Sequence, residues 1–304
     1  MTAISAPTFA IGAWACGSAG FDVLDANGTA WGVRTGGTSG IFDGPPVTLN
    51  QTNFPNADGA FRSQNFRPVR TMVINGWAAG STLAGAIASR RAFMGLLGGG
   101  GQGTLIITDM DGLVLNATVE LGDVPKVTPA AMQFDWQLTL SAADPYLYGP
   151  VVSTNTGLPS AVSGLDWVGL GAGLDWTGAG AGGLVWGTPT NNGLCQLTNI
   201  GTEVAWPIFT ITGPATGQLI APTIVNGTTG EILAYTGSLN PGDVLVISTA
   251  PTNRSVLLNG VPYRRFLAPA QFFSIPPGGS VTIQFQGTSA SPTPLLTATV
   301  ASAY

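Results

Sequence analysis

Hydrophobic and polar positions alternate with a period of two along most of this chain, and a helical period appears only once. Leu113, Leu115, Ala117, Val119 and Leu121 alternate with Val114, Asn116, Thr118 and Glu120. Phe134, Trp136, Leu138 and Leu140 alternate with Asp135, Gln137, Thr139 and Ser141. Each run predicts a strand with one buried face. The helical stretch runs from Ser81 to Gly98, with Ser81 as the expected N-cap and Gly98 as a left-handed stop. At 100° per residue, Leu83, Ala86, Ile87, Phe93, Met94 and Leu97 form one stripe, with Arg90 inside it and Arg91 at its margin. The opposite face, Gly85, Ala88, Ser89, Ala92 and Gly95, carries no acid and no lysine. That composition predicts a helix covered on both faces, one by its own sheet and one by something else. Arg90 is then expected to snorkel, to pair with Asp135 or Asp144, or to reach an acceptor on a neighbouring subunit.

The first fifty residues are short β-type pieces cut by glycine, with Asn27-Gly28 as a hairpin turn. Residues 51–68 read as an exposed loop with Pro55 and Asp58-Gly59 as breakers. The run 69–76 is a strand that feeds the helix through Gly80. After the helix, strands at 105–108 and 113–121 are joined by a turn at Asp109-Met110-Asp111-Gly112. One helix on such strands predicts an α+β sheet or partly open barrel over residues 1–150.

Residues 151–193 differ. GLDW, GLDW and GLVW recur there and set Trp167, Trp176 and Trp186 nine and ten residues apart. The segment is a Gly/Trp-rich repeat connector in which the tryptophans pin a loose chain onto a domain; a sugar-stacking platform is the alternative. Residues 194–304 read as seven short strands, at 194–200, 205–211, 218–225, 231–235, 243–249, 254–259 and 280–285. Turn signals at Asn226-Gly227, Asn240-Pro241-Gly242, Asn259-Gly260 and Pro276-Pro277 separate them, as in a β-sandwich.

Composition narrows the function. Charged residues are 8% of the chain and its net charge is −5, against roughly 25% charged in ordinary soluble domains. No basic stripe exists to neutralise phosphates, so nucleic-acid recognition is not expected. The chain has no histidine, which removes Ser-His-Asp catalysis and Cys/His metal sites. Asp109 and Asp111 lack the remaining ligands of a calcium loop. Asp166 and Asp175 suggest a glycosidase pair only because they repeat, and a solvated turn explains them better. No catalytic, cofactor or metal site is expected, and no run is long enough to span a membrane. The N-terminus lacks the basic segment of a signal peptide. Cys16 and Cys195 are expected to be buried free thiols. So charge-poor a surface suits a subunit buried in a larger assembly; a soluble secreted β protein is the plainer reading.

The order of these pieces resembles a known family. A strand with Arg70, an Ile74-Asn75-Gly76 turn, a helix with Arg90-Arg91, two strands and a strand closing at Ala143-Asp144-Pro145-Tyr146 resemble the N-terminal half of siphophage distal tail (Dit) proteins, also known as minor tail proteins. The stretches at 198–214, 224–235, 239–249, 255–260 and 272–285 resemble that family's galectin-like domain. The resemblance implies a mainly β protein: an N-terminal α+β split-barrel-like domain with one helix, then a C-terminal galectin-like β-sandwich. It implies a hexameric ring, formed by residues 1–150, at the distal end of a non-contractile tail. The outer domain would carry receptor-binding proteins. Partners implied are the tail tube protein, the tape measure protein and the tail-tip hub, in a virion assembled in the host cytoplasm. Gly85, Ala88, Arg90, Arg91 and Ala92 are then candidates for the ring interface. A carbohydrate-binding adhesin, with Trp167, Trp176 and Trp186 as candidate stacking residues, is the first alternative, and a hydrolase of the host envelope the second.

Overall fold

The computed structural model describes residues 7–18, 22–159, 191–291 and 293–304. The chain divides into two compact units, Met1–Pro150 with Tyr304, and Val151–Ala303.

The first unit contains β1 (Thr8–Ile11), β2 (Trp14–Gly17), β3 (Val23–Leu24), β4 (Thr29–Ser39), β5 (Gln51–Asn53), β6 (Ala60–Arg62) and β7 (Arg70–Gly80). The helix α1 (Leu83–Met94), β8 (Gly103–Thr108), β9 (Val114–Leu121), β10 (Lys126–Ala130) and β11 (Gln133–Ala142) follow, and β12 (Tyr148–Gly157) runs past the division. Strands pair in the order β11-β7-β4-β2-β1-β8-β9, and β9 pairs with β11 through Leu121↔Leu140 and Glu120↔Ser141. That last pairing closes a seven-stranded barrel, where the pattern predicted an α+β sheet or partly open barrel. All of its pairings are antiparallel except β2 with β4.

The inward faces are those marked by alternation. Leu115, Ala117 and Val119 are buried, as are Phe134, Trp136, Leu138 and Leu140. At the centre, Trp31 lies 5.2 Å from Phe93, 5.3 Å from Phe134 and 5.9 Å from both Trp14 and Trp136, ring centre to ring centre. The contacts with Trp14 and Phe134 are edge to face and the other two tilted, and edge-to-face packing adds to the burial of large side chains. Ile74, Asn75 and Gly76 do not make the expected turn. They lie in mid-strand, with Gly76 paired to Trp136. A Cβ at Gly76 would overlap Trp136 Cζ2 and the Gly32 carbonyl oxygen, so the glycine is there for close approach.

The helix departs from its expected setting. Thr82, not Ser81, is the N-cap, its Oγ1 accepting from Gly85 N at 3.1 Å, and the helix ends at Met94 with Gly95 as C-cap rather than at Gly98. The buried residues are Ala86, Ser89 and Phe93, while Leu83 is 53% and Met94 50% exposed. The stripe predicted from hydrophobicity is therefore rotated. The cause is polar: Ser89 Oγ donates to Thr29 Oγ1 at 2.9 Å and accepts from Asn27 Nδ2 at 3.2 Å. Gly85 sits against the Asn27 carbonyl, where a Cβ would lie 2.5 Å from the oxygen. The small face is partly covered by the chain's own 25–29 turn.

Asp25 organises that turn. Its carboxylate accepts from Asn27 N at 2.8 Å, Thr29 N at 2.9 Å and Trp31 Nε1 at 3.0 Å. Desolvation acts to raise the Asp25 pKa, but these bonds, with Ser89 close by, outweigh it and leave the pKa below the usual carboxylate value. A carboxylate with a depressed folded-state pKa stabilises at neutral pH and loses that contribution as pH falls below about 4. The melting temperature of Asp25→Asn should therefore fall less steeply than the parent's on acidification below that pH. Parallel curves would show that Asp25 carries no linkage.

The second unit contains β13 (Leu194–Thr198), β14 (Ile208–Thr212), β15 (Leu219–Asn226), β16 (Ile232–Tyr235), β17 (Ser238–Leu239) and β18 (Val244–Ser248). It continues with β19 (Ser255–Leu258), β20 (Val261–Pro262), β21 (Leu267–Ala270), β22 (Ser280–Ser289) and β23 (Leu295–Ala303). One sheet runs β23-β14-β18-β19-β20; the other runs β13-β22-β15-β16-β21, with β17 on β15. The seven strands read from the sequence are present. The reading missed β23, whose buried positions Leu296, Ala298, Val300 and Ser302 include residues too small or polar to mark a core face. Cys16 and Cys195 are buried and unpaired, and burial pushes the Cys195 thiol up to about 11.

Candidate assembly surface

Between β4 and β7 the chain leaves the barrel as an arm. Thr48 N donates to Phe66 O at 2.9 Å, Asn50 Nδ2 to Gln64 O at 3.0 Å and Ser63 N to Asn50 O at 3.0 Å; β5 then pairs with β6. Phe54 and Phe61 meet edge to face at 4.4 Å. The segment expected to be an exposed loop is thus a hairpin with its own ladder. Val47, Leu49, Phe61, Phe66 and Val69 stand on it exposed, Phe61 at 67% and Phe66 at 60%. Burying such a side chain contributes about 1.5–3 kcal/mol, and a group of them in solvent marks a contact surface. The reading of the sequence missed these residues because turn formers and polar residues dominate 51–65; the alternation of Gln51–Asn53 and Ala60–Arg62 is too short to stand out.

Arg70 fixes the root of the arm. It is 3% exposed, and its guanidinium donates to four carbonyls: Gly40 and Ile41 at 2.7 Å, Asp43 at 2.7 Å and Pro145 at 3.0 Å. A planar fork is the side chain suited to bridging several acceptors. Arg70 thereby holds the chain leaving β4 and the chain preceding β12 to the start of β7.

On α1, Ala88, Arg91 and Ala92 are exposed and Arg90 is half-buried. Gly85 is turned to Asn27, as described. Arg90 makes no hydrogen bond or ion pair among the described residues. The expected pairing with Asp135 or Asp144 does not form. Asp135 accepts from Arg34 at 2.6 Å, and Asp144 accepts from Tyr148 Oη at 2.7 Å and Tyr146 N at 3.2 Å. Trp167, Trp176 and Trp186, with most of the 151–193 connector, lie outside the described residues.

A cleft of about 520 Å³ opens where β4 and β7 slip register between Val33 and Thr38, lined by Arg34, Asn75, Lys126, Asp135 and Gln137 among others. Its charges are paired internally, Arg34 with Asp135 at 2.6 Å and Lys126 with Asp123 at 2.8 Å. Asp109 and Asp111 cap the backbone of their turn through Met110 N and Leu113 N. Among the described residues, no group of three or more Asp, Glu, Cys or His could hold a metal. No helix among them is long and apolar enough to cross a membrane.

Residues 200–297 match the family model of the siphovirus-type tail component, C-terminal domain. No curated protein sequence matches the chain. Among solved structures, the SPP1 Dit protein, described as a paradigm of the hub adsorption apparatus in phages infecting Gram-positive bacteria, is 11% identical. The match covers 98% of this chain and 99% of that one, with a TM-score of 0.62. A chain of the phage P2 baseplate in its activated conformation with calcium is 11% identical over 85% of this chain and 87% of that one, with a TM-score of 0.46. The resemblance read from the sequence is upheld by the family match over residues 200–297 and by likeness of fold over nearly the whole chain. Together they support a structural role in a phage tail or baseplate.

Proposed function

We propose that this chain, whose residues 200–297 match the family model of the siphovirus-type tail component, C-terminal domain, is a non-enzymatic distal tail adaptor that closes into a ring. Residues 1–150 form the ring, a hexamer, between the tail tube with its tape measure protein and the tail-tip hub. Residues 151–193 connect it to an outer galectin-like sandwich, 194–304, available to receptor-binding proteins. The protein resides in the virion and is assembled in the host cytoplasm.

The observation that supports a ring is the arm. A 27-residue stretch, Asp43–Val69, places Val47, Leu49, Phe61, Phe66 and Val69 in solvent on a hairpin rooted by Arg70. A second copy of the chain is the natural cover, since a head-to-tail contact repeated through a rotation generates a closed ring. Ala88, Arg90, Arg91 and Ala92 offer a second contact on the same unit, where the half-buried Arg90 would find an acceptor on the neighbour. Gly85 contributes by keeping the 25–29 turn against the helix.

Mass photometry and negative-stain imaging of the full chain test the reading. A closed ring of six copies is expected, and Phe61→Ser with Phe66→Ser should shift it to monomer without lowering the melting temperature of the monomer. A parent that stays monomeric at high concentration would overturn the ring.

A further inference from the structure

Every basic residue of the second unit lies within one short stretch, at Arg254, Arg264 and Arg265. All three are exposed, and no ion pair among the described residues joins any of them to a carboxylate. Two of the described acids of the unit are engaged elsewhere: Asp243 accepts from Asn259 Nδ2 at 2.8 Å and Asn240 N at 2.8 Å, and Glu231 from Thr229 Oγ1 at 2.6 Å. The three guanidiniums lie against aromatic rings instead. Arg254 Cζ is 4.7 Å and Arg264 Cζ 4.3 Å from the centre of Phe272, and Arg265 Cζ is 4.8 Å from the centre of Phe266. Phe266 in turn stacks on Tyr263, centres 5.5 Å apart and planes 23° apart. Three chain segments thus converge: the turn before β19, the 264–266 turn, and Phe272 beyond β21.

A guanidinium held on a ring keeps its N–H edge for an oxyanion and loses less freedom on binding than a free side chain. Arg254 spends one weak bond, Nε to Thr249 O at 3.4 Å. No hydrogen bond from the side chains of Arg264 or Arg265 is present among the described residues. Arg254 and Arg264 share the Phe272 ring, which gathers two cations from separate segments into one patch.

We propose that this patch binds an acidic polysaccharide, its guanidiniums holding the carboxylate or sulfate groups and the Tyr263–Phe266 stack carrying the apolar face of a sugar ring. Nucleic acid is a poorer fit, because its binding draws largely on phosphates neutralised by Lys and Arg and this unit offers three cations on a chain of net charge −5. A protein partner is also a poorer fit, because binding hot spots are ringed by surface that excludes water. Here the exposed residues of the same segments are small, polar or proline, among them Thr252, Asn253, Asn259, Ala268, Pro269 and Gln271, with Val261 the large aliphatic exception. The inference does not rest on the ring and holds for a monomer.

The test is titration of the full chain, at low and high salt, with polygalacturonate, heparin, neutral dextran, poly-glutamate and a single-stranded oligonucleotide. Polygalacturonate and heparin should bind and weaken as salt rises, and dextran should not bind. Arg264→Ala with Arg265→Ala should weaken both acidic polysaccharides at least tenfold at an unchanged melting temperature, while Lys126→Ala, a charge of the first unit, leaves them unchanged. Tyr263→Ala should weaken polygalacturonate and spare any residual poly-glutamate binding. No binding at low salt, equal losses with Lys126→Ala, or tighter binding of poly-glutamate or the oligonucleotide than of either acidic polysaccharide would each overturn the proposal.

Discussion

Arg70→Ala is expected to destabilise the first unit by on the order of 3–5 kcal/mol, because it removes a buried cation and strands the four carbonyls that it binds. Domain stabilities are about 5–15 kcal/mol, so the loss would be a large share of the whole. Arg70→Lys keeps the charge but has no planar fork, so it should recover only part of the loss. The variant should also show a local effect. Gly40, Ile41 and Asp43 lead into the arm, so the 43–69 hairpin should become a protease target before the barrel unfolds. Urea unfolding of parent, Arg70→Ala and Arg70→Lys, with a protease time course, measures both. An alanine variant within about 0.5 kcal/mol of the parent would mean that water satisfies the four carbonyls and that Arg70 is not the anchor. A loss of stability with no change in arm cleavage would separate the anchor from the arm.

Gly76→Ala should cost about 3 kcal/mol, at the upper end for overpacking. The new methyl would overlap the benzo ring of Trp136 on one side and the Gly32 carbonyl on the other. Neither can yield easily. The carbonyl belongs to the β4–β7 ladder, where Gly32 pairs with Trp77 and Val33 with Gly76. The indole is hemmed in by Trp14 at 5.3 Å and Phe93 at 5.5 Å. The expected signature is a lowered midpoint with altered tryptophan near-ultraviolet dichroism. Trp136→Phe removes the ring that the methyl strikes, and with it a buried Nε1 that has no hydrogen-bond partner among the described residues. In that background Gly76→Ala should cost less by about 1–2 kcal/mol, a coupling that a double-mutant cycle reads directly. Additive losses would mean that the methyl is accommodated by the strands and not resisted by Trp136.

Much of the fold is legible in the sequence because burial in a sheet leaves a local record. A strand with one wet face must alternate, and 113–121, 132–140 and 280–285 do; the structure buries most of the residues that the alternation selects, with Leu113 and Leu121 at the strand ends only partly buried. The absence of histidine is equally direct, and it removes a Ser-His-Asp triad and Cys/His metal sites without reference to any coordinate. Where the buried face is made of Ala and Ser, as on β23, the record fades and the strand goes unread.

What the sequence alone could not decide depends on contacts between distant residues. Closure of the barrel rests on Leu121↔Leu140 and Glu120↔Ser141, and alternation says which face is buried but not which strand lies alongside. Asn75-Gly76 is a turn signal by local chemistry, yet the ladders to β4 and β11 hold it extended, and the glycine serves Trp136 across the sheet. The set of the helix was misjudged for the same reason. Hydrophobicity points Leu83 and Met94 inward, but Asn27, Thr29 and Ser89 form a polar contact that the wheel cannot see, and it turns them out. The arm and the arginine patch are likewise tertiary: Phe61 and Phe66 become one surface only once the hairpin forms, and Arg254 joins Arg264 only on the ring of Phe272. Periodicity is a property of neighbours in the chain; register, closure and convergence are properties of residues that meet only when it folds.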